Sequence, residues 1–133
     1  MKIIIETPKY SFFKYRKVGA EYKKDFFAPI PAIFNYGYVD GTMASDRMAE
    51  DAIVLGPRLL QGTVLDNVVK INGVVKFIDD SVKDDKKIIY LSGFKSTSIL
   101  SLYFRIYTLY KIFLYLLSER RIARCRFEGI EWF

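Results

Sequence analysis

The run Asp79-Asp80-Ser81-Val82-Lys83-Asp84-Asp85-Lys86 follows directly on the stretch Val74-Val75-Lys76-Phe77-Ile78. Carboxylates and lysines are thereby set at the tip of a strand, and hard oxygen ligands beside a cation suit a Mg²⁺ ion that holds a phosphate. A second acidic pair, Asp46 and Asp51, lies upstream, preceded by Asn35-Tyr36-Gly37-Tyr38. Taken singly, each element also has an ordinary structural use. Loop aspartates cap helices or face solvent, a charged run is a surface turn, and tyrosines flanking a strand glycine pack a core.

These residues need a scaffold of short strands. Lys2 to Ile5 reads as a strand closed by Pro8, and Phe12 to Val18 as a second one turning at Gly19. Pro29 and Pro31 hold the chain extended into Ile33 to Val39, where Asp40-Gly41 is a turn signal. Ala52 to Leu55 is a short apolar strand, and Thr63 to Asp79 reads as two strands hairpinned at Ile71-Asn72-Gly73, since Asn-Gly supplies positive φ. Lys87 to Leu91 returns as another strand, and Ile122 to Phe127 closes the set. Strands linked by short turns without a βαβ rhythm predict a mainly β (α+β) fold, a small antiparallel, OB-like closed barrel. Between the last strands, Ile99, Leu102, Ile106, Leu109, Phe113, Leu116 and Leu117 recur at helical spacing over Ser98 to Arg121, with Ser96 or Ser98 as cap. The expectation is one C-terminal helix packed on the barrel.

With 133 residues and 51% hydrophobic content the chain forms one domain, 1–133, with a packed core. A net charge of +6 favours anionic partners. The basic residues gather as Lys9, Lys14, Arg16, Lys17, Lys23 and Lys24, and again as Arg120, Arg121, Arg124 and Arg126, with acids between them from Asp40 to Asp85. Lone Cys125 makes no internal disulfide and suits a reducing compartment. Met1-Lys2-Ile3-Ile4-Ile5-Glu6 breaks its apolar run too early for an N-terminal signal.

From Glu6 to about Lys111 the motifs fall in a fixed order: Asn35-Tyr36-Gly37-Tyr38, Gly41-Thr42, Asp46 and Asp51, Gly73-Val74-Val75, then Asp79, Asp84 and Lys86, with an echo at Phe127-Glu128-Gly129. This order and its spacing resemble the soluble family I inorganic pyrophosphatases, whose elements read N-Y-G-[FY], G-T-L, D-x-D-P-x-D, G-V-[LV]-x-M-x-D and D-x-x-x-x-D-x-K. No single element is specific; the ordered set is.

The resemblance implies Mg²⁺-dependent hydrolysis of inorganic pyrophosphate to two phosphates, with Mn²⁺ as a substitute metal, in a cytoplasmic homo-oligomer. It places metals on Asp46, Asp51 and Asp84, with Asp51 bridging to a second ion, Asp79 and Asp84 holding a third, and Glu6 serving another through water. It gives Lys14, Lys24, Tyr36, Lys86, Tyr110 and Lys111 to the phosphates, and Asp51, Tyr36 and Lys86 to catalysis. Tyr110-Lys111 ends Ile106-Tyr107-Thr108-Leu109-Tyr110-Lys111, which mimics the family's F-F-x-x-Y-K, and Tyr115 aligns instead if the helix carries fewer insertions. Three positions depart from the pattern. Met48 replaces the middle signature carboxylate that orients the attacking water, Arg16 stands where an acid belongs, and Lys24 takes the place of an arginine, losing its two-pronged hydrogen-bond fork. The expectation is therefore a weak pyrophosphatase, or a protein that keeps fold and part of the metal site without turnover.

Two other classes compete. A nucleic-acid-binding barrel is allowed by the charge and by Phe12-Phe13-Lys14-Tyr15-Arg16-Lys17, but the acidic middle of the chain opposes a broad basic groove, and no nucleic acid is expected. A membrane-attached accessory protein would use the helix as a span, yet Arg105 and Lys111 lie inside it, each costing ~2.5–3.5 kcal/mol near a bilayer centre; no membrane is expected.

Overall fold

Strand β5, Asp51–Leu55, explains the architecture best: after Asp51 every residue of it is buried, although successive side chains of a strand point to opposite faces. Both faces of the sheet are therefore covered at its centre, which is why the segment reads as an unbroken apolar run. Ile53 and Leu55 face one core with Phe34, Tyr36, Val75, Ile88, Leu100 and Phe104. Ala52 and Val54 face the other, with Ile3, Ile5, Val39 and Ile89. The structure is a computed structural model that describes residues 1–43, 48–68 and 70–133.

The remaining strands are β1 (Ile3–Thr7), β2 (Phe13–Val18), β3 (Glu21–Phe27), β4 (Asn35–Val39), β6 (Val64–Leu65), β7 (Gly73–Asp79), β8 (Val82–Lys83), β9 (Lys86–Tyr90) and β10 (Arg126–Trp132), with one helix, α1 (Thr97–Glu119). The main sheet runs in the order β10-β7-β9-β5-β4-β1-β6, with β8 paired to β7, while β2 and β3 form a separate hairpin. The fold is mainly β with one C-terminal helix, as expected. In two details it differs from a closed antiparallel barrel: the hydrogen-bonded path has ends at β10 and β6, and β5 pairs with β9 in parallel. The long excursion through β6, β7 and β8 returns the chain into the gap beside β5 in the same direction.

Close packing of β1 on β4 sets one glycine. A Cβ at Gly37 would lie 2.0 Å from the Ile4 carbonyl oxygen, so the third residue of Asn-Tyr-Gly-Tyr has no room for a side chain. Its neighbour Asn35 is fully buried and ties down two loops, accepting from the Lys9 and Leu59 amides at 3.0 and 2.8 Å and donating to the Pro57 carbonyl at 2.9 Å.

The hairpin expected at Ile71-Asn72-Gly73 does not form. Asn72 instead serves β9, its amide donating to the Ile88 carbonyl and its Oδ1 accepting from the Tyr90 amide, both at 2.8 Å. Among the described residues of the stretch before it only β6 is strand, and it pairs with β1. Strand β3 has no signature in the sequence, because Glu21-Tyr22-Lys23-Lys24-Asp25 lacks an apolar alternation. The last strand begins at Arg126 rather than Ile122, with a bulge between Phe127 and Gly129.

Ser96 caps α1, its Oγ accepting from the Ile99 amide at 3.3 Å, and Arg120 ends it in a left-handed conformation. The face expected to pack is the one that does not. Leu100 and Phe104 are buried against the sheet, flanked by Tyr103 and Tyr107, and Phe104 stacks on Phe34 and Phe127 at centroid distances of 5.7 and 6.0 Å. Ile99, Leu102, Ile106, Leu109, Phe113, Leu116 and Leu117 all face outward and are exposed. The helix carries apolar residues on both sides, so spacing alone does not say which side is covered.

Candidate active site

Two neighbouring strands bring an acid and a base together. In the parallel ladder Asp51, the first residue of β5, sits in register with Lys86, the first of β9. Lys86 is 1% exposed, and its Nζ donates to Asp51 Oδ2 at 3.1 Å and to Asp84 Oδ2 at 3.0 Å. A buried ammonium is tolerated only with such partners. Tyr36, on β4 beside β5, donates its hydroxyl to the same Asp51 Oδ2 at 2.8 Å.

The electrostatics follow from this crowding. Burial opposes charge on Asp51, but Lys86 and Lys14 outweigh it and hold the carboxyl at about 2. Asp84 goes the other way: burial and the adjacent Asp51 charge push it up to about 6 against the pull of Lys86. Burial favours a neutral amine at Lys86, yet Asp51 and Asp84 keep its pKa above the ordinary lysine value. Burial and Asp51 also raise the Tyr36 phenol well above its usual range, so it stays a hydrogen-bond donor.

Above this group opens a cavity of about 450 Å³ lined by Glu6, Lys14, Asp25, Tyr36, Asp51, Asp79, Asp84 and Lys111. Arg16, Lys17 and Met48 line it as well. Lys14 Nζ lies 4.5 Å from the Tyr36 ring centre. Asp79 accepts from Tyr115 at 3.0 Å and pairs with Lys111 at 3.3 Å. Burial works against the Lys111 ammonium, but Tyr107 and Asp79 hold its pKa above normal, while burial pushes the Tyr115 phenol up to about 12. Glu6 Oε2 accepts from the Lys17 amide at 2.6 Å, and burial raises its pKa.

Of the sequence-derived candidates, the structure thus brings Glu6, Lys14, Tyr36, Asp51, Asp79, Asp84 and Lys111 to one cavity, with Lys86 beneath it. Two are elsewhere. Lys24 Nζ lies over the Phe13 ring, 4.3 Å from its centre, and the Tyr110 hydroxyl donates to the Phe27 carbonyl; Tyr115 reaches Asp79 instead. Asp46 lies outside the described residues. Sequence reasoning missed Asp25 because the β2–β3 register shifts between Lys14 and Tyr15. Asp25 is the extra residue opposite that bulge, and a bulge re-aims side chains in a way no alternation pattern shows.

The carboxylates fit a hard divalent cation as donors, since oxygen is the ligand such ions take. Among the described residues no three acids are gathered tightly enough to hold one alone, and the Lys86 ammonium occupies the space between Asp51 and Asp84.

The family model for inorganic pyrophosphatase matches residues 3–102. The chain belongs to the inorganic pyrophosphatase family. No curated protein matches it in sequence. Solved structures agree with the fold: the inorganic pyrophosphatase of Thermus thermophilus superposes with a TM-score of 0.75 at 20% identity, covering 99% of this chain and 82% of that one. Those of Neisseria gonorrhoeae and Coxiella burnetii both give 0.72, at 21% and 23% identity, covering 99% of this chain and 82% and 85% of theirs. Family membership makes this chain a diphosphatase-type hydrolase.

Proposed function

We propose that the chain hydrolyses inorganic pyrophosphate in a Mg²⁺-dependent reaction at a reduced rate. The observation that carries this reading is the registered Asp51–Lys86 pair, closed by Tyr36 and Asp84, at the floor of a cavity faced by Lys14, Arg16, Lys17 and Lys111. Asp51 and Asp84, with Asp46 from the signature loop, would hold the metal, and Asp79 and Glu6 offer oxygens across the cavity. A divalent cation in such a site neutralises phosphate oxygens and acidifies water.

The chain's own groups do the rest. Lys14 and Lys111 present positive charge to the substrate's anionic oxygens, and Lys86 fixes Asp51 and Asp84 from below rather than reaching the cavity. Tyr36 keeps its proton and steadies the Asp51 oxygen. Water must attack one phosphorus while the bridging P–O bond breaks and charge builds on the departing phosphate, so a nearby acceptor for the water's proton speeds the step. At the signature position for that acceptor stands Met48, whose thioether takes no proton. Loss of positioned base catalysis lowers a rate by typically ~10²–10⁴-fold. Glu50 is not among the residues lining the cavity. The test is phosphate release from pyrophosphate with and without Mg²⁺: slow, metal-dependent turnover that Asp51→Asn abolishes is expected, and turnover independent of both Mg²⁺ and Asp51 would overturn the proposal.

A further inference from the structure

An apolar space opens off the cavity above Asp51. Lys14 and Tyr36 line that cavity and also one end of a narrow cleft of about 30 Å³, whose other walls include Phe34, Phe104 and Tyr107. The cleft continues along Phe26, Ala28, Tyr103 and Tyr107, which also line a wider cavity of about 290 Å³ between the Pro29-Ile30 segment and α1. Its walls are mostly hydrocarbon and ring carbon. Three of the polar groups they carry are engaged: Thr7 Oγ1 accepts from the Tyr15 amide at 2.9 Å, the Tyr36 hydroxyl donates to Asp51, and the Tyr110 hydroxyl donates to the Phe27 carbonyl. Charge stands at the inner end, on Lys14, whose Nζ lies 4.5 Å from the Tyr36 ring centre and 5.3 Å from that of Phe26. Lys111, which lines the cavity above Asp51, reaches the same Phe26 ring at 5.2 Å. Apolar walls with a few placed charges are the form of a small-molecule site. Inorganic pyrophosphate is wholly polar and gains nothing from such walls.

We propose that the chain also hydrolyses diphosphate monoesters of apolar alcohols, with the diphosphate in the cavity above Asp51 and the hydrocarbon in the cleft beside Lys14 and Tyr36. The proposal rests on the pyrophosphatase reading of the same cavity and widens its substrate class. Lys14 borders both spaces, so its ammonium meets the ester phosphate at the point where the hydrocarbon leaves it. In the reaction the water oxygen bonds to the terminal phosphorus, the bond from that phosphorus to the bridging oxygen breaks, and the bridging oxygen keeps the electron pair. An alkyl phosphate and inorganic phosphate result; one proton of the water stays on the released phosphate and the other passes to solvent. The hydrocarbon contributes by leaving water, roughly fourfold in affinity for each methylene buried.

The test is phosphate release, in the presence of Mg²⁺, from inorganic pyrophosphate, methyl diphosphate and n-octyl diphosphate. The two esters present the same reacting bond with and without a chain. A KM for n-octyl diphosphate about fiftyfold below that for methyl diphosphate is expected, the gain from burying about three methylenes. Ala28→Phe fills the cleft where its narrow and wide parts join, and Ile30→Asp, at an exposed position, sets a carboxylate in the wide part. Each should erase the preference for the longer ester and leave pyrophosphate turnover unchanged. Equal KM values for the two esters, or a preference that both variants keep, overturn the proposal. Hydrolysis of pyrophosphate without hydrolysis of n-octyl diphosphate overturns the wider substrate class and leaves the pyrophosphatase reading standing. Hydrolysis of none of the three overturns both.

Discussion

Replacing Lys86 by methionine removes one charge and keeps most of the volume, leaving Asp51 and Asp84 facing each other. At 3.0 and 3.1 Å each contact is worth roughly 5 kcal/mol at an effective dielectric near 20, much of which the desolvation of a buried ammonium cancels. What remains after deletion is an uncompensated acidic pair, and breaking a buried pair typically costs ~3–5 kcal/mol. Asp51 and Asp84 retain side-chain exposures of 24% and 16%, and Asp84, at about 6, readily takes a proton. The lower end of that range, about 3 kcal/mol, is therefore expected at pH 7. Against a total of ~5–15 kcal/mol, this lowers Tm by roughly 10 °C for a domain of this size. Carboxyls whose folded pKa exceeds the unfolded value bind protons preferentially in the folded state, so they lose stability as pH rises through that interval. The deficit of Lys86→Met relative to the parent should accordingly widen above pH 6 and narrow towards pH 5. Urea denaturation of both proteins at pH 5, 6, 7 and 8 measures it. A loss below about 1 kcal/mol at every pH would mean that the three groups do not act as one buried electrostatic unit.

Met48→Asp should raise Mg²⁺-dependent turnover by up to ~10²–10⁴-fold, because Met48 lines the cavity and an aspartate there would add a proton acceptor. Phosphate-release kinetics check it, and a gain that appears only when Arg16→Glu is added would assign the remaining block to the misplaced cation. Mg²⁺ affinity should rise from pH 5 to pH 7, since an ion must displace the proton that Asp84 carries below about 6; a thermal-shift titration that is flat with pH would contradict this. Gly37→Ala should cost at least ~1–3 kcal/mol, because its Cβ would meet the Ile4 carbonyl at 2.0 Å and backbone must move, and an unchanged urea midpoint would show that β1 and β4 pack less tightly than described.

The residues that converge on the cavity could be read from sequence because they occupy strand ends. Asp51 opens an apolar run, Asp79 closes one, and Tyr36 flanks a glycine that only a close strand contact requires. What could not be read has physical causes. Asn72-Gly73 has the composition of a tight turn, yet the Asn72 side chain caps β9, a tertiary use that local propensity does not encode. Strand β3 is held by pairing with β2, not by burial, so it has no apolar signature. At the β3 bulge it is Asp25, and not Lys24, that lines the cavity. The outward seam of α1 has the same period as its inward one, and only the positions of the buried aromatics distinguish them.

The Asp51–Lys86 contact depends on the ladder between two buried strands and on no loop geometry. Rungs of a ladder shift only in whole-residue steps, each of which would turn the flanking apolar side chains to the wrong face. The charge pair is therefore insulated from insertions, deletions and substitutions in the surrounding loops. Loop segments from longer relatives should be transferable into this chain as modules, with the central charge pair as the fixed point for rebuilding, or redirecting, the chemistry around it.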